Sequence, residues 1–242
     1  MKITHGALLF ASLLLVSTSN AQLVTNTLTP MADMWYDERS FAYTDNPPAS
    51  LYGPTGNDFL DLAPETESYT ERIVMRFDLS SVPVGSLRSA TLRLFNRASP
   101  AGGTTDPLDV FRLTNPWVDK NSNWLTNDVP NATLWNNPGS DFANRLGIAQ
   151  SLSNPFATRG YDRSSVNAPN DWDVTSLVQL WLDGIHPNYG FLITERMTAD
   201  HGQAFFWASE TGALSPQLII VTPEPSGLAL MLLGGLVLLR RR

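Results

Sequence analysis

The sequence predicts an all-β domain, an antiparallel β-sandwich of jelly-roll type with one short helix. Three observations predict it. Apolar runs are short and bounded by turn residues, prolines fall between the runs, and a single stretch carries helical periodicity.

Six runs read as strands: Ile73–Phe77, Ala90–Phe95, Leu108–Leu113, Gly190–Thr194, Ala204–Ala208 and Gln217–Val221. In the second, Leu92 and Leu94 alternate with Arg93, the period-two pattern of a strand with one face in water. Pro83, Pro107, Pro138, Pro155, Pro169, Pro187 and Pro216 separate the runs, where a missing N–H does least harm. Gln22 to Pro30 is polar and Thr-rich, a lead-in strand or short linker. The helical stretch lies near Ser176–Asp183. There Leu177, Leu180 and Trp181 fall on one face, Asp173 or Thr175 can cap the start, and Gly184 sits where a helix turns off. Asn115 to Asn170 reads as mostly loop.

The 242 residues divide into three parts, 1–21, 22–222 and 223–242. The first has Lys2, an apolar run from Gly6 to Val16, and the small-residue site Ser19-Asn20-Ala21. That run spans about 16 Å as helix, short of a ~30 Å hydrocarbon core. It reads as a secretory signal peptide, cut by signal peptidase between Ala21 and Gln22. The last part has Pro223-Glu224-Pro225, an uncharged apolar run from Gly227 to Leu239, and Arg240, Arg241 and Arg242. Arginines after such a run stay cytoplasmic. Motif, apolar segment and basic cluster in this order resemble the PEP-CTERM sorting signal recognised by exosortases. The resemblance implies processing near the Pro-Glu-Pro of a chain held transiently, by this segment alone, in the inner membrane of a Gram-negative-type bacterium. It also implies delivery to the cell envelope, cell surface or extracellular matrix of a biofilm.

Charge narrows the partners. The formal net charge is −7, and Lys2 and the three final arginines lie outside the middle domain, which is therefore more acidic still. A chain of this sign does not suit nucleic acid or anionic lipid. There is no cysteine, so a disulfide, a Cys-ligated metal and a thiol nucleophile are excluded. No cofactor motif is present, although the oxygen-rich Asx loops could hold a structural Ca²⁺.

Arg72-Ile73-Val74-Met75-Arg76-Phe77-Asp78-Leu79-Ser80-Ser81-Val82-Pro83 resembles the core motif of the DNRLRE domain family. In order, further segments are similar to that family's pattern: Ser89 to Leu94, Val110 to Leu113 with Trp117, Ala132 to Asn136, Trp172 to Trp181, Asn188 to Phe191, and Ser209-Glu210 with Pro216-Gln217-Leu218. The likeness covers about Ala32 to Thr222. Leu134 inside the fourth segment and the long Phe142–Asn170 insertion depart from it. The resemblance implies a β-sandwich related to carbohydrate-binding modules, and hence a polysaccharide partner.

Catalytic residues are not expected. His186 and His201 lack metal-site spacing, and no nucleophile elbow or phosphate-binding loop occurs. Pairs such as Glu65 with Glu67 or Asp171 with Asp173 arise easily among 23 acidic residues. Sugar binding calls for exposed rings beside polar groups. Trp35, Tyr36, Tyr52, Trp117, Trp124, Trp135, Tyr161 and Trp207 are candidates. Trp207 and Trp181 read as core, Trp207 from its apolar strand and Trp181 from the helix's apolar face; Trp117 also reads as core. Trp124, Trp135 and Tyr161 lie in polar loops and are the expected ligand-binding residues. Asp78 and Asp173 read as turn and cap residues. The expected function is a non-enzymatic surface or matrix protein that binds polysaccharide. The alternatives are a purely structural matrix protein and a polysaccharide hydrolase or lyase.

Overall fold

The computed structural model describes residues 22–38, 59–62, 70–83, 87–98, 107–119, 121–161, 165–196 and 204–223. They lie almost wholly in one compact unit, Val24–Thr222. Of the other unit, Met1–Leu23 with Pro223–Arg242, only Leu23, Gln22 and Pro223 are described. The expected signal peptide and the expected sorting segment beyond Pro223 therefore lie outside the described residues, as does Tyr52.

The elements in order are β1 (Leu23–Leu28), β2 (Ala32–Asp37), β3 (Phe59–Leu62), β4 (Glu71–Arg76), β5 (Ser89–Ala98), β6 (Pro107–Leu113), β7 (Thr126–Asp128) and β8 (Thr133–Leu134). Then come β9 (Phe142–Ala143), β10 (Ala157–Gly160), β11 (Pro169–Asp173), α1 (Thr175–Leu182), β12 (Phe191–Glu195), β13 (Ala204–Trp207), a 3₁₀ turn (Ser209–Leu214) and β14 (Gln217–Pro223). One sheet runs β1-β14-β5-β13-β3, with β11 also on β5; the other runs β10-β6-β12-β4-β2, with β9 also on β6. This is the expected antiparallel sandwich with one short helix. All six expected strands are present, and Pro107 and Pro169 stand at the first position of theirs, where no ladder N–H is lost.

Between the sheets lies the main core, in which Leu92 and Leu94 of β5, Ile73 and Met75 of β4, Leu108 and Val110 of β6, and Phe191 and Ile193 of β12 meet Trp172 and Trp181. Beyond this core the two sheets part company. In the first, burial alternates along β5, β13 and β14, so its outer face is half-buried. In the second, β2, β4, β6 and β12 are buried at nearly every position. The cause is a second core on its outer face, built from Met34, Tyr36, Val74, Phe111 and Leu192 against Trp117, Trp124, Trp135 and Phe142. The segment between β6 and β10, expected as loop, folds as a cap over that sheet. The β7–β8 hairpin belongs to it.

Polar side chains give the cap its shape. Asp141 accepts hydrogen bonds from the side chains of Asn115, Asn136 and Asn137 and from the backbone N–H of the last two, at 2.7 to 3.2 Å. Asn123 Oδ1 accepts from the N–H of Leu125 and Thr126, and Asn144 Oδ1 from those of Leu146 and Ile148. Such amide-held turns replace the ladder bonds that an irregular segment lacks.

The helix ends as expected and begins otherwise. Gly184, at φ +69°, donates to Trp181 O and Ile185 to Leu180 O, the paired bonds of a Schellman stop. At the start, the cap position is Val174 and no side chain caps it. Asp173 Oδ1 instead accepts from both N–H and Oγ1 of Thr175, while Thr175 Oγ1 accepts the N–H of Ala90 at 2.9 Å. The pair ties α1 to β5 rather than closing the helix end. Asp78 acts as expected, accepting the Ser80 N–H across a turn at 2.9 Å.

Candidate functional site

On a half-open sheet, side chains alternate between core and water. β13 keeps that alternation but turns aromatic rings outward. Ala204 and Phe206 point into the core, so Phe205 and Trp207 stand on the outer face, each half-buried. Phe206 pairs with Asn96, which brings Trp207 level with Phe95, another outward ring on β5. Three half-buried aromatic side chains thus share one face.

Polar groups border them. The Trp207 indole N–H donates to Asn167 Oδ1 at 2.8 Å, and the Arg97 guanidinium lies 5.4 Å from the ring centroid. Asn167 holds a left-handed backbone (φ +63°) and donates its N–H to Asn96 O. Further along β5, Arg93 forms a two-point ion pair with Asp171 at 2.7 Å and is flanked on its other side by Gln217. That pairing raises the Arg93 pKa above its ordinary value. Rings for the C–H faces of a pyranose therefore stand beside donors and acceptors for its hydroxyls.

The residues expected to bind ligand lie elsewhere. Trp124 is 7% exposed, Trp135 4% and Tyr161 0%. Trp124 and Trp135 are plugs of the second core: Arg72 stacks over Trp124, Tyr36 packs edge-on against Trp135, and Trp135 Nε1 donates to Asn123 O. Tyr161 packs edge-on against Phe206 in the main core. Their loops are polar because the cap needs amide-held turns, not because the rings face water. As expected, Trp117 and Trp181 are buried; so are Trp35 and Tyr36. Trp207, expected in the core, is the one tryptophan that is not fully buried. The signal was there: Ala204-Phe205-Phe206-Trp207 is apolar at successive positions beside strands that alternate, so two of its rings had to point outward.

A second cluster sits between the sheets at the far end of the strands. Asp37 of β2 pairs with Glu71 of β4, on the face that Trp35 and Ile73 turn to the main core. Glu195 of β12 follows Thr194, the partner of Arg72, and so comes level with Glu71. All three carboxylates are buried. Among the described residues, no three His, Asp or Glu side chains are arranged to hold a metal ion. No helix among them is long and apolar enough to cross a membrane.

An antiparallel sandwich with one face capped and the other half-buried and aromatic defines the class of domain. The chain belongs to the disaggregatase related repeat family, whose model matches residues 44–220. That family, not the DNRLRE family, is the one that matches. A search of curated proteins returns no match.

Proposed function

We propose that this chain is an exported, non-catalytic surface or matrix protein whose sandwich associates with polysaccharide through the Trp207 face. The observation that carries the reading is the row of half-buried Phe95, Phe205 and Trp207 on the outer face of the first sheet, bordered by Asn167, Arg93 and Asp171. Membership of a family described by disaggregatase related repeats supports an extracellular, polysaccharide-related role. The DNRLRE-like motifs and the PEP-CTERM-like tail support the same setting. Exosortase and signal peptidase are the proposed processing enzymes.

Affinity electrophoresis of the full-length chain in gels containing bacterial exopolysaccharide tests it. Retention is expected for the wild type and its loss for Trp207→Ala, with the melting temperature little changed. Equal retention of the variant overturns the assignment of this face. Absence of retention on any polymer favours a purely structural role.

The buried carboxylates Asp37, Glu71 and Glu195 favour a second reading, a hydrolase, because glycosidases work with paired carboxyl groups. Release of reducing ends from the same polymers, abolished in Glu71→Gln, would establish it.

A further inference from the structure

Arg112 of β6 sits at the end of the sandwich where α1 stops. Its neighbours Phe111 and Leu113 belong to the second core and Val110 to the main one, so its side chain lies on the main-core face. Across the sheet it pairs with Phe191, against whose ring Trp181 of α1 packs edge-on at 4.8 Å. His186, just past α1, lies within electrostatic reach. Burial, and then the charge of Arg112, lowers its pKa below the ordinary 6.5.

Two N–H groups here lack partners. Arg112 is 8% exposed, and its buried Nε has no hydrogen bond. The Trp181 Nε1 is also buried and has none. Among the described residues Arg112 makes no ion pair. The end of α1 does not supply the missing acceptors, since neither donor is bonded to a carbonyl there. A buried donor left unmade is unfavourable, and the guanidinium that carries the first of these two has no counter-charge among the described residues. An oxyanion is the kind of ligand that accepts from donors of both kinds.

We propose that Arg112 and Trp181, with His186 beside them, form an anion site at the α1 end of the sandwich that takes a carboxylate or sulfate group of an acidic sugar. This site is separate from the Trp207 face and does not depend on it.

Calorimetric titration of the full-length chain at constant ionic strength tests it, with sodium glucuronate, sodium sulfate, glucose and sodium chloride as probes. Saturable binding of glucuronate or sulfate, but not of glucose or chloride, is expected. Sulfate binding without glucuronate binding would make the source a sulfated sugar or the free ion. Arg112→Gln should weaken binding at least ten-fold. Trp181→Phe, which keeps the ring and removes the N–H, should weaken it several-fold. No saturable binding by the wild type, or equal binding by Arg112→Gln, overturns the proposal. Without added anion, the melting temperature of Arg112→Gln should equal or exceed that of the wild type; a clear fall would make Arg112 structural and also overturn it.

Discussion

Arg72 of β4 donates a 2.8 Å hydrogen bond from Nη1 to the carbonyl of Gly139, and the same guanidinium lies 5.1 Å from the centroid of the Trp124 ring. One side chain thus joins the sheet to two points of its cap. Gly139 is at φ +78°, and a Cβ there would come within 2.6 Å of the Trp124 ring and 2.9 Å of Arg72 Nη1. Gly139→Ala should therefore destabilise the domain by about 1–3 kcal/mol through forced repacking. Urea unfolding of the variant, followed by circular dichroism, measures it.

Trp124→Ala and Trp135→Ala should each lose roughly 3–5 kcal/mol of stability, the penalty for emptying a core site of a large ring. The expected result is a lower denaturation midpoint, with any change in polysaccharide retention following from unfolding. A variant that melts like the wild type yet loses retention would return these rings to the binding site.

Asp141 gathers five hydrogen bonds from three asparagines, so Asp141→Ala leaves several donors of the cap unmet. A loss of at least about 1.5–3 kcal/mol is expected, the scale of a hydrogen bond to a charged group. Hydrogen exchange should rise first across residues 115–154, ahead of β5. Uniform exchange across both cores would contradict this.

Acid sensitivity should follow Asp173. The Thr175 hydroxyl, and then the Thr175 N–H, holds its carboxyl below the ordinary 3.8. A depressed folded value means the unfolded chain binds the proton more readily. The contribution is therefore full above about pH 5 and is lost as pH falls below 3.8 through the folded value. The stability gap between wild type and Asp173→Ala should be constant near neutrality and should shrink in acid. A gap that widens in acid would refute the sign.

Export is tested at the chain ends. Intact-mass measurement of envelope material should show a first residue at or near Gln22. Glu224→Ala should leave tail-bearing chain in the inner membrane if an exosortase reads the Pro-Glu-Pro. Unchanged release of that variant would remove the sorting proposal.

The fold was largely legible because its strands advertise their surroundings. Leu92-Arg93-Leu94 alternates and lies on the open sheet; Ile73-Val74-Met75 and Phe191-Leu192-Ile193 do not alternate and are covered on both faces. The cap was not legible, since its order comes from single contacts such as those of Asp141 and Asn144, which carry no period. The burial of the loop rings was not legible for the same reason. Trp124 and Trp135 have polar neighbours in sequence, while burial depends on what the loop folds onto. Trp207 was judged by its apolar run, while its exposure depends on which sheet that run joins.

β5 pairs with β14 along Ser89–Arg93, with β11 along Thr91–Phe95 and with β13 at Asn96 and Ala98. All three partners come from the last third of the chain. During synthesis the strand must wait, with both edges unpaired, until the chain from Pro169 onward has emerged, and β14 arrives only just before the tail. Distant pairing of this kind makes for slow folding and a long exposure of sticky strand edges. The first sheet is thus completed only by the last described strand, so any truncation that removes Gln217–Pro223 leaves β5 with an unpaired edge along Ser89–Arg93.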